Sequence, residues 1–309
     1  MEHFDTIILG GGPAGLTAGI YLSRAKVKTL ILNQGAIGGQ MVLTHEIANY
    51  PGVDSIGGYQ LSNIMKNQAK NFGCKIRSIG QITELDLNSK IKTITVDNSA
   101  TFTADSVIIS TGGRSRTLGV TGEEEFKGKG ISYCATCDGD FFTNMEIIVV
   151  GGGNSALEEA VSLTKYAKKV TIVHQFNHFQ AFEHAIDEAK NNPKIDFIME
   201  SKITGFYGEE KLHSVDILNL KSNKTVRQSI DGVFIFIGYV PNTEFLKDHM
   251  NLNTWGEIEV DYQMRTKIEG VYAAGDCIAK KFRQVSTAVG DGTQAALSVS
   301  EYLNEMKRK

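Results

Sequence analysis

The hydrophobic positions along the chain fall into two matching patterns. Residues 5–15 read D-T-I-I-L-G-G-G-P-A-G, and residues 146–156 read E-I-I-V-V-G-G-G-N-S-A. Each is a short apolar run rich in β-branched residues, which favours a strand, and each breaks on three glycines. Helical spacing follows: Leu16, Ile20 and Ser23 share one face after the first break, and Leu157, Ala160, Val161 and Thr164 share one after the second. A second apolar run closes each pattern, at 28–32 and 169–173. Strand–helix–strand is the unit of a parallel sheet covered on both faces, so the pattern predicts an α/β chain with two such units. Weaker alternation over 75–97 and 203–226 predicts a small β-meander attached to each unit, and the last apolar stripe predicts a helix over 293–306.

The glycine breaks fit the dinucleotide fingerprint G-x-G-x-x-G/A, once as Gly10, Gly12 and Gly15 and once as Gly151, Gly153 and Ala156. The first glycine permits a tight turn, the second lets backbone approach a pyrophosphate, and the third lets helix and strand pack closely. The helix N-terminus then faces the anion. Two such folds suggest one bound flavin nucleotide and one site built for a nicotinamide nucleotide. Thr111-Gly112-Gly113 ends an apolar strand at 106–109, and Gly238-Tyr239-Val240-Pro241-Asn242 ends another at 233–237. The second fingerprint lies between these breaks, so the first domain is interrupted by the second. The expected organisation is two Rossmann-like, three-layer dinucleotide-binding domains. Residues 1–114 and 244–309 form the flavin-binding one, and 115–243 form the inserted, NAD(P)-binding-like one that carries a C-x-x-C.

Composition narrows the function classes. The chain has 309 residues with a net charge of −3, which leaves no global basic field for nucleic acid or an anionic membrane. No apolar run approaches the ~18 residues of a membrane span. The start, Met-Glu-His-Phe-Asp, has no basic region before its Gly-rich motif, so a cytoplasmic setting is expected.

The four cysteines are Cys74, Cys134, Cys137 and Cys277. Cys134-Ala-Thr-Cys137 admits three readings. A zinc site needs four ligands, and no second C-x-x-C or H-x₃₋₅-H pair is placed to complete it. His174 and His178 have i, i+4 spacing but stand at a strand end, and no metal site is expected. A structural disulfide closing so short a loop constrains little chain entropy. A catalytic dithiol in a reducing compartment fits best. Asp138 follows directly and reads either as part of an Asp-Gly turn or as a general acid beside the dithiol. Cys74 and Cys277 read as small buried hydrophobes.

These motifs occur in a known order. Gly10–Gly15, Gly38-Gly39-Gln40, Asn49-Tyr50-Pro51-Gly52, Ser110-Thr111-Gly112-Gly113, Tyr133-Cys134-Ala135-Thr136-Cys137-Asp138-Gly139, the second glycine run, Gly238–Asn242, Ala274-Gly275-Asp276 and Arg283-Gln284 together resemble the low-molecular-weight thioredoxin reductases over essentially the whole chain. The resemblance implies FAD on the first domain, with Gly10, Gly12, Pro13, Ala14 and Gly15 at its pyrophosphate. Gly39, Gln40 and Asn49 would lie along the flavin and ribityl chain, Asp276 would bond the ribityl chain, and Arg283 and Gln284 would border the isoalloxazine. Asn33, Gln34, Ile82, Thr111, Gly112 and Gly275 complete the expected flavin-binding set. By the same resemblance Cys137 faces the flavin, Cys134 attacks the disulfide of thioredoxin, Asp138 donates the proton, the inserted domain swings, and the protein is a homodimer.

Two strand ends depart from the family pattern. After the second strand of the flavin domain, where an acid often bonds the ribose, the chain reads Leu32-Asn33-Gln34-Gly35, which predicts weaker adenosine binding without its loss. In the second domain, NADPH-dependent members carry H-R-R-x-x-x-R, and here the stretch is His174-Gln175-Phe176-Asn177-His178-Phe179-Gln180. Losing two arginine contacts to a 2′-phosphate costs ~3–6 kcal/mol, or about 10²–10⁴ in affinity. No Asp or Glu replaces them for the 2′-hydroxyl of NADH, so NAD(P)H binding is in doubt. The polar residues there read the ribose in another way, or electrons arrive from elsewhere. The ferredoxin-dependent branch of the family resembles this chain. A drop from about −400 to about −270 mV gives ~6 kcal/mol for two electrons. Lys280, Lys281 and Arg283 are candidate docking cations for an acidic ferredoxin. NADPH, NADH, or oxygen acting with a dithiol oxidase are the alternative partners for the flavin.

Overall fold

The computed structural model describes residues 2–44 and 46–308, and its backbone separates into two units. The first comprises residues 1–114 and 240–309, and the second comprises 115–239.

In the first unit, β1 (Glu2–Leu9) runs into α1 (Pro13–Arg24) and then β2 (Thr29–Gln34). α2 (Gly58–Asn71) leads to β3 (Lys75–Ile79), and β4 (Ile82–Asp86), β5 (Lys92–Val96) and β6 (Ala100–Ile109) follow. The sheet order is β3-β2-β1-β6-β5-β4. β3, β2, β1 and β6 are parallel, whereas β4 and β5 fold back antiparallel. Lys75–Ile79 is therefore not part of a separate meander, because it pairs with β2 as the outer parallel strand. Only β4 and β5 form the expected appendage.

Strand alternation builds three layers. Ile8, Ile31 and Ile108 face α1, α2 and the C-terminal helix. Their neighbours Ile7, Leu9, Leu30, Leu32, Val107 and Ile109 face the other way, against Leu85, Ile94, Val96, Leu246 and Ile258. This period of two follows from the pleat, which sends successive side chains to opposite faces.

The chain crosses between the units in two short strands, β7 (Gly113–Ser115) and β16 (Tyr239–Pro241). The second unit holds β8 (Ile131–Ser132), the single-turn α3 (Ala135–Asp138), β9 (Glu146–Val150), α4 (Asn154–Leu163), β10 (Lys169–Val173), α5 (Glu183–Lys190) and β11 (Ile195–Ile198). β12 (Ser201–Gly208), β13 (Leu212–Asn219) and β14 (Lys224–Ser229) form the antiparallel meander expected from 203–226, and β15 (Gly232–Ile235) returns to the parallel sheet. That sheet has the order β11-β10-β9-β15-β8. Ile147, Val149, Val170 and Ile172 meet α4 and α5, while Ile148, Val150, Val173 and Val233 meet the meander.

The first unit closes with β17 (Val271–Ala273), parallel to β6, and α6 (Val285–Arg308). α6 begins eight residues before the expected 293, because Gly290 and Gly292 lie inside it rather than ahead of it. Gly292 has a packing role: a Cβ there would come within 2.2 Å of the Ala14 carbonyl oxygen. Among the described residues no helix is long and apolar enough to cross a membrane.

Candidate functional site

Two sites answer to the sequence motifs, one in each unit. In the first, β1 ends at Gly10, whose φ of +108° makes the sharp exit that only glycine adopts cheaply. A Cβ at Gly15 would meet the Gly10 carbonyl oxygen at 2.0 Å, so these two positions hold helix and strand together. Gly12 differs: a Cβ there would meet no protein atom within 4 Å. Gly12 is also the N-cap of α1, with Pro13 in the first turn and no side chain supplying a capping hydrogen bond. An uncapped helix start beside open space is what an approaching diphosphate needs.

Distant segments converge on this loop. Asn33 is buried, accepts from the Gly11 amide at 2.7 Å and donates to the Gly35 carbonyl at 3.0 Å, so it supports the glycine turn. Gln34 is exposed and donates to the Gly80 carbonyl. Gly39 lies beside Gly12, and exposed Gln40 follows it in a short 3-10 turn. Asn49 donates to Gln284 Oε1 at 3.2 Å, joining two expected flavin residues 235 positions apart. Thr111 bonds the Asn242 carbonyl, and Asn242 returns bonds to Thr111 and Gly112. Ile82 is half-buried at the start of β4.

Gly275 sits against Ala14, and its amide donates to Asp291 at 3.1 Å. Burial pushes the Asp276 carboxyl up, while Lys280 and Arg283 oppose that shift. Arg283 pairs with Glu257, and Lys280 pairs with Asp291 at 2.5 Å. These pairs correct the expectation of a cationic docking cluster. The Lys280 and Arg283 side chains are only 13% and 22% exposed and already neutralised, which leaves Lys281 as the exposed cation of the three. Asp291 and Glu257 were not marked by the sequence, because each lies far along the chain from the group it holds.

The second unit carries the dithiol. Cys134 and Cys137 are joined as a disulfide with Cα atoms 5.3 Å apart. Cys134 is the N-cap of α3, and its Sγ accepts from the Cys137 amide at 3.2 Å. That N–H is positioned to stabilise a thiolate at Cys134 once the S–S bond is broken. Asp138 is half-buried one residue on, and its Oδ2 accepts from Ser132 Oγ at 2.5 Å. Burial raises the Asp138 carboxyl above the usual range, Ser132 opposes the rise, and Asp140 adds to it. Such a carboxyl keeps its proton at a higher pH than an exposed one. Cys74 and Cys277 are buried, and burial pushes both thiols up to about 11, as expected of packing residues.

The second glycine loop is also formed. Gly151 has φ +144°, Gly153 caps α4, and no capping side chain covers that helix start. The strand end beside it is aromatic and uncharged in its polar residues. His174 is 5% exposed, and its ring lies against Gly152 and stacks on Phe179. Burial lowers its pKa, which favours the neutral ring. His178 is exposed, and its ring bonds Asn177 at 2.9 Å. Gln175, Phe176, Asn177 and Gln180 are exposed at this corner and bring no charge to it.

Comparison with known proteins agrees with this geometry. The family profile described as pyridine nucleotide-disulphide oxidoreductase matches residues 4–292. A thioredoxin reductase of Listeria innocua is 44% identical over 305 residues, covering 98% of this chain and 95% of its own. A "34.2 kDa protein in rubredoxin operon" of Clostridium pasteurianum is 42% identical over 302 residues, covering 98% of each. The crystal structure of a thioredoxin reductase from Streptococcus pyogenes superposes with a TM-score of 0.94 at 41% identity, covering 98% of this chain and 99% of that one. With both glycine loops and the dithiol in place, the chain belongs to the pyridine nucleotide-disulphide oxidoreductase family, in its low-molecular-weight thioredoxin reductase class.

Proposed function

We propose that the protein is an FAD-dependent thioredoxin reductase that takes its electrons from ferredoxin. The observation that carries the reaction is the Cys134–Cys137 disulfide with a proton-holding carboxyl, Asp138, one residue away. FAD fits the first unit, where Gly12 leaves space at an uncapped helix start, and it supplies the electron pair that opens the disulfide. Cys134, held by the Cys137 amide, is the attacking thiolate. It displaces one sulfur of the thioredoxin disulfide to form a mixed disulfide. Cys137 then attacks Cys134 Sγ, re-forming the Cys134–Cys137 bond and releasing the second thioredoxin sulfur. Asp138 gives its proton to a departing thiolate. The unit of residues 1–114 and 240–309, which takes in 240–243 from the expected insert, serves the flavin, and 115–239 serve the dithiol.

The choice of donor rests on the uncharged corner at Gln175, Phe176 and Gln180, which offers no arginine for a 2′-phosphate. The experiment is anaerobic: FAD-loaded protein is mixed with reduced ferredoxin, NADPH or NADH, and flavin bleaching and thioredoxin thiols are followed. Ferredoxin should bleach the flavin and produce thiols. Rapid reduction by micromolar NADPH would remove the ferredoxin assignment. We also propose a homodimer, for which the exposed Tyr59 and Ile64 on α2 offer apolar surface. Sedimentation at the mass of a single chain would contradict it.

Two substitutions probe the sites separately. Gly12→Ala should keep the fold, since its φ of −77° suits alanine and the added carbon meets nothing. Because that carbon takes the space a pyrophosphate needs, FAD affinity should fall about tenfold or more. Flavin absorbance and the melting of the flavin-free protein check both parts. Asp138→Asn should cost about 10²-fold in thioredoxin turnover through loss of the general acid. Only the protonated acid donates, so turnover of the unaltered protein should decline as pH rises through the raised Asp138 pKa. In the Asn variant that decline should disappear.

A further inference from the structure

We infer that Ser132 is a positioning residue that holds Asp138 against the backbone of Cys134 in both protonation states of the carboxyl. Ser132 is 5% exposed, the second residue of β8, and lies two positions before the dithiol. Its Oγ accepts from the Cys134 amide at 3.1 Å, stands 2.5 Å from Asp138 Oδ2, and stands 3.3 Å from the Cys134 carbonyl oxygen. A hydroxyl has one proton and two lone pairs, so it can donate to only one of these two oxygens at a time. Against an ionised Asp138 the proton goes to the carboxylate, in a short, charge-assisted bond. Against a protonated Asp138 the carboxyl O–H donates to Oγ, and the serine proton turns to the Cys134 carbonyl. The amide bond from Cys134 persists throughout. The acid thus keeps a partner before and after it gives up its proton, and that partner is fixed to the cysteine whose chemistry needs the proton.

Ser132 is the group that favours the charged Asp138 carboxylate, and the charged groups around it are acidic. Asp140 on the next turn is acidic and repels the carboxylate. α4, packed against α3, carries the acidic pair Glu158 and Glu159. Tyr133, the residue between Ser132 and Cys134, gives its hydroxyl to Glu123 at 2.7 Å. A side chain without a hydroxyl at 132 leaves the Asp138 carboxylate to burial and to Asp140, both of which disfavour its charge.

This inference rests on the proposed role of Asp138 as proton donor, and the test separates the two. Thioredoxin turnover, with saturating donor, is measured against pH for the unaltered holoenzyme and for Ser132→Ala, Ser132→Thr and Asp138→Asn. In Ser132→Ala the alkaline decline should move to higher pH, because the bond that favours the charged carboxylate is lost. At neutral pH kcat should fall about tenfold as the acid loses its orientation, with KM for thioredoxin unchanged. Ser132→Thr, which restores a hydroxyl, should return the decline to its original position. Difference infrared spectroscopy of the carboxyl, with Asp138→Asn as the blank, reads the same shift without turnover. If the decline and the carboxyl titration stay in place in Ser132→Ala while Asp138→Asn abolishes them, the serine has no such role and the donor assignment stands. If Asp138→Asn leaves the decline untouched, both ideas fall.

Discussion

Replacing Cys134 by serine should lower thioredoxin turnover by at least about 10³-fold while leaving the flavin bound, because a serine hydroxyl at neutral pH is a far poorer nucleophile than a thiolate. Two features of the structure make the effect specific. The Cys134 Sγ receives the Cys137 amide, so the position is arranged for a negatively charged sulfur. The remaining cysteines, Cys74 and Cys277, are buried thiols with pKa values near 11 and cannot take over the exchange. The proposed flavin site, at Gly12 and the start of α1, belongs to the other unit, so its occupancy should not change. Flavin absorbance and a thioredoxin-coupled thiol assay read the two parts together. A serine variant with full turnover would remove Cys134 from the reaction.

The second large effect is a gain. The triple change Gln175→Arg, Phe176→Arg and Gln180→Arg should raise NADPH affinity by at least about 10²–10⁴, with NADH little altered, since even two charged hydrogen bonds to a 2′-phosphate together contribute ~3–6 kcal/mol. All three positions are exposed beside a glycine loop that is already formed, so the arginines require no repacking of the core. His174 stays as it is, because its ring fills the space against Gly152. Titration of flavin reduction by each nucleotide measures the change. Micromolar NADPH affinity in the unaltered protein would show that the corner reads the phosphate through other groups.

Much of the fold is legible in the sequence for a simple reason. The β-α-β units announce themselves through local signals, namely apolar alternation, a glycine break and helical spacing, and Gly10, Gly15 and Gly151 each have a steric duty at their own positions. The features the local pattern does not show depend on partners far away in the chain. Gly290 and Gly292 look like helix punctuation until α1 is brought alongside, where Gly292 meets Ala14. Lys75–Ile79 looks like an appended strand until β2 offers its edge. Lys280 and Arg283 look like free cations until Asp291 and Glu257 arrive, 11 and 26 residues away.

The dithiol site divides the same way. The C-x-x-C string marks its cysteines directly, because their chemistry depends on adjacent positions, whereas Asp138 reads equally as a turn residue until its burial beside the dithiol is seen. Ser132 carries no such mark: a small polar residue in a short strand is unremarkable until its hydroxyl is found between Asp138 and Cys134.

Electron transfer from flavin through residues 134 and 137 to thioredoxin can be measured without settling the donor. FAD-loaded protein is reduced anaerobically with one equivalent of dithionite and then mixed with excess oxidised thioredoxin. The expected result is the oxidised flavin spectrum with two new thioredoxin thiols for each equivalent of dithionite supplied. A flavin that stays reduced in the presence of thioredoxin, or reoxidation without new thiols, would contradict it.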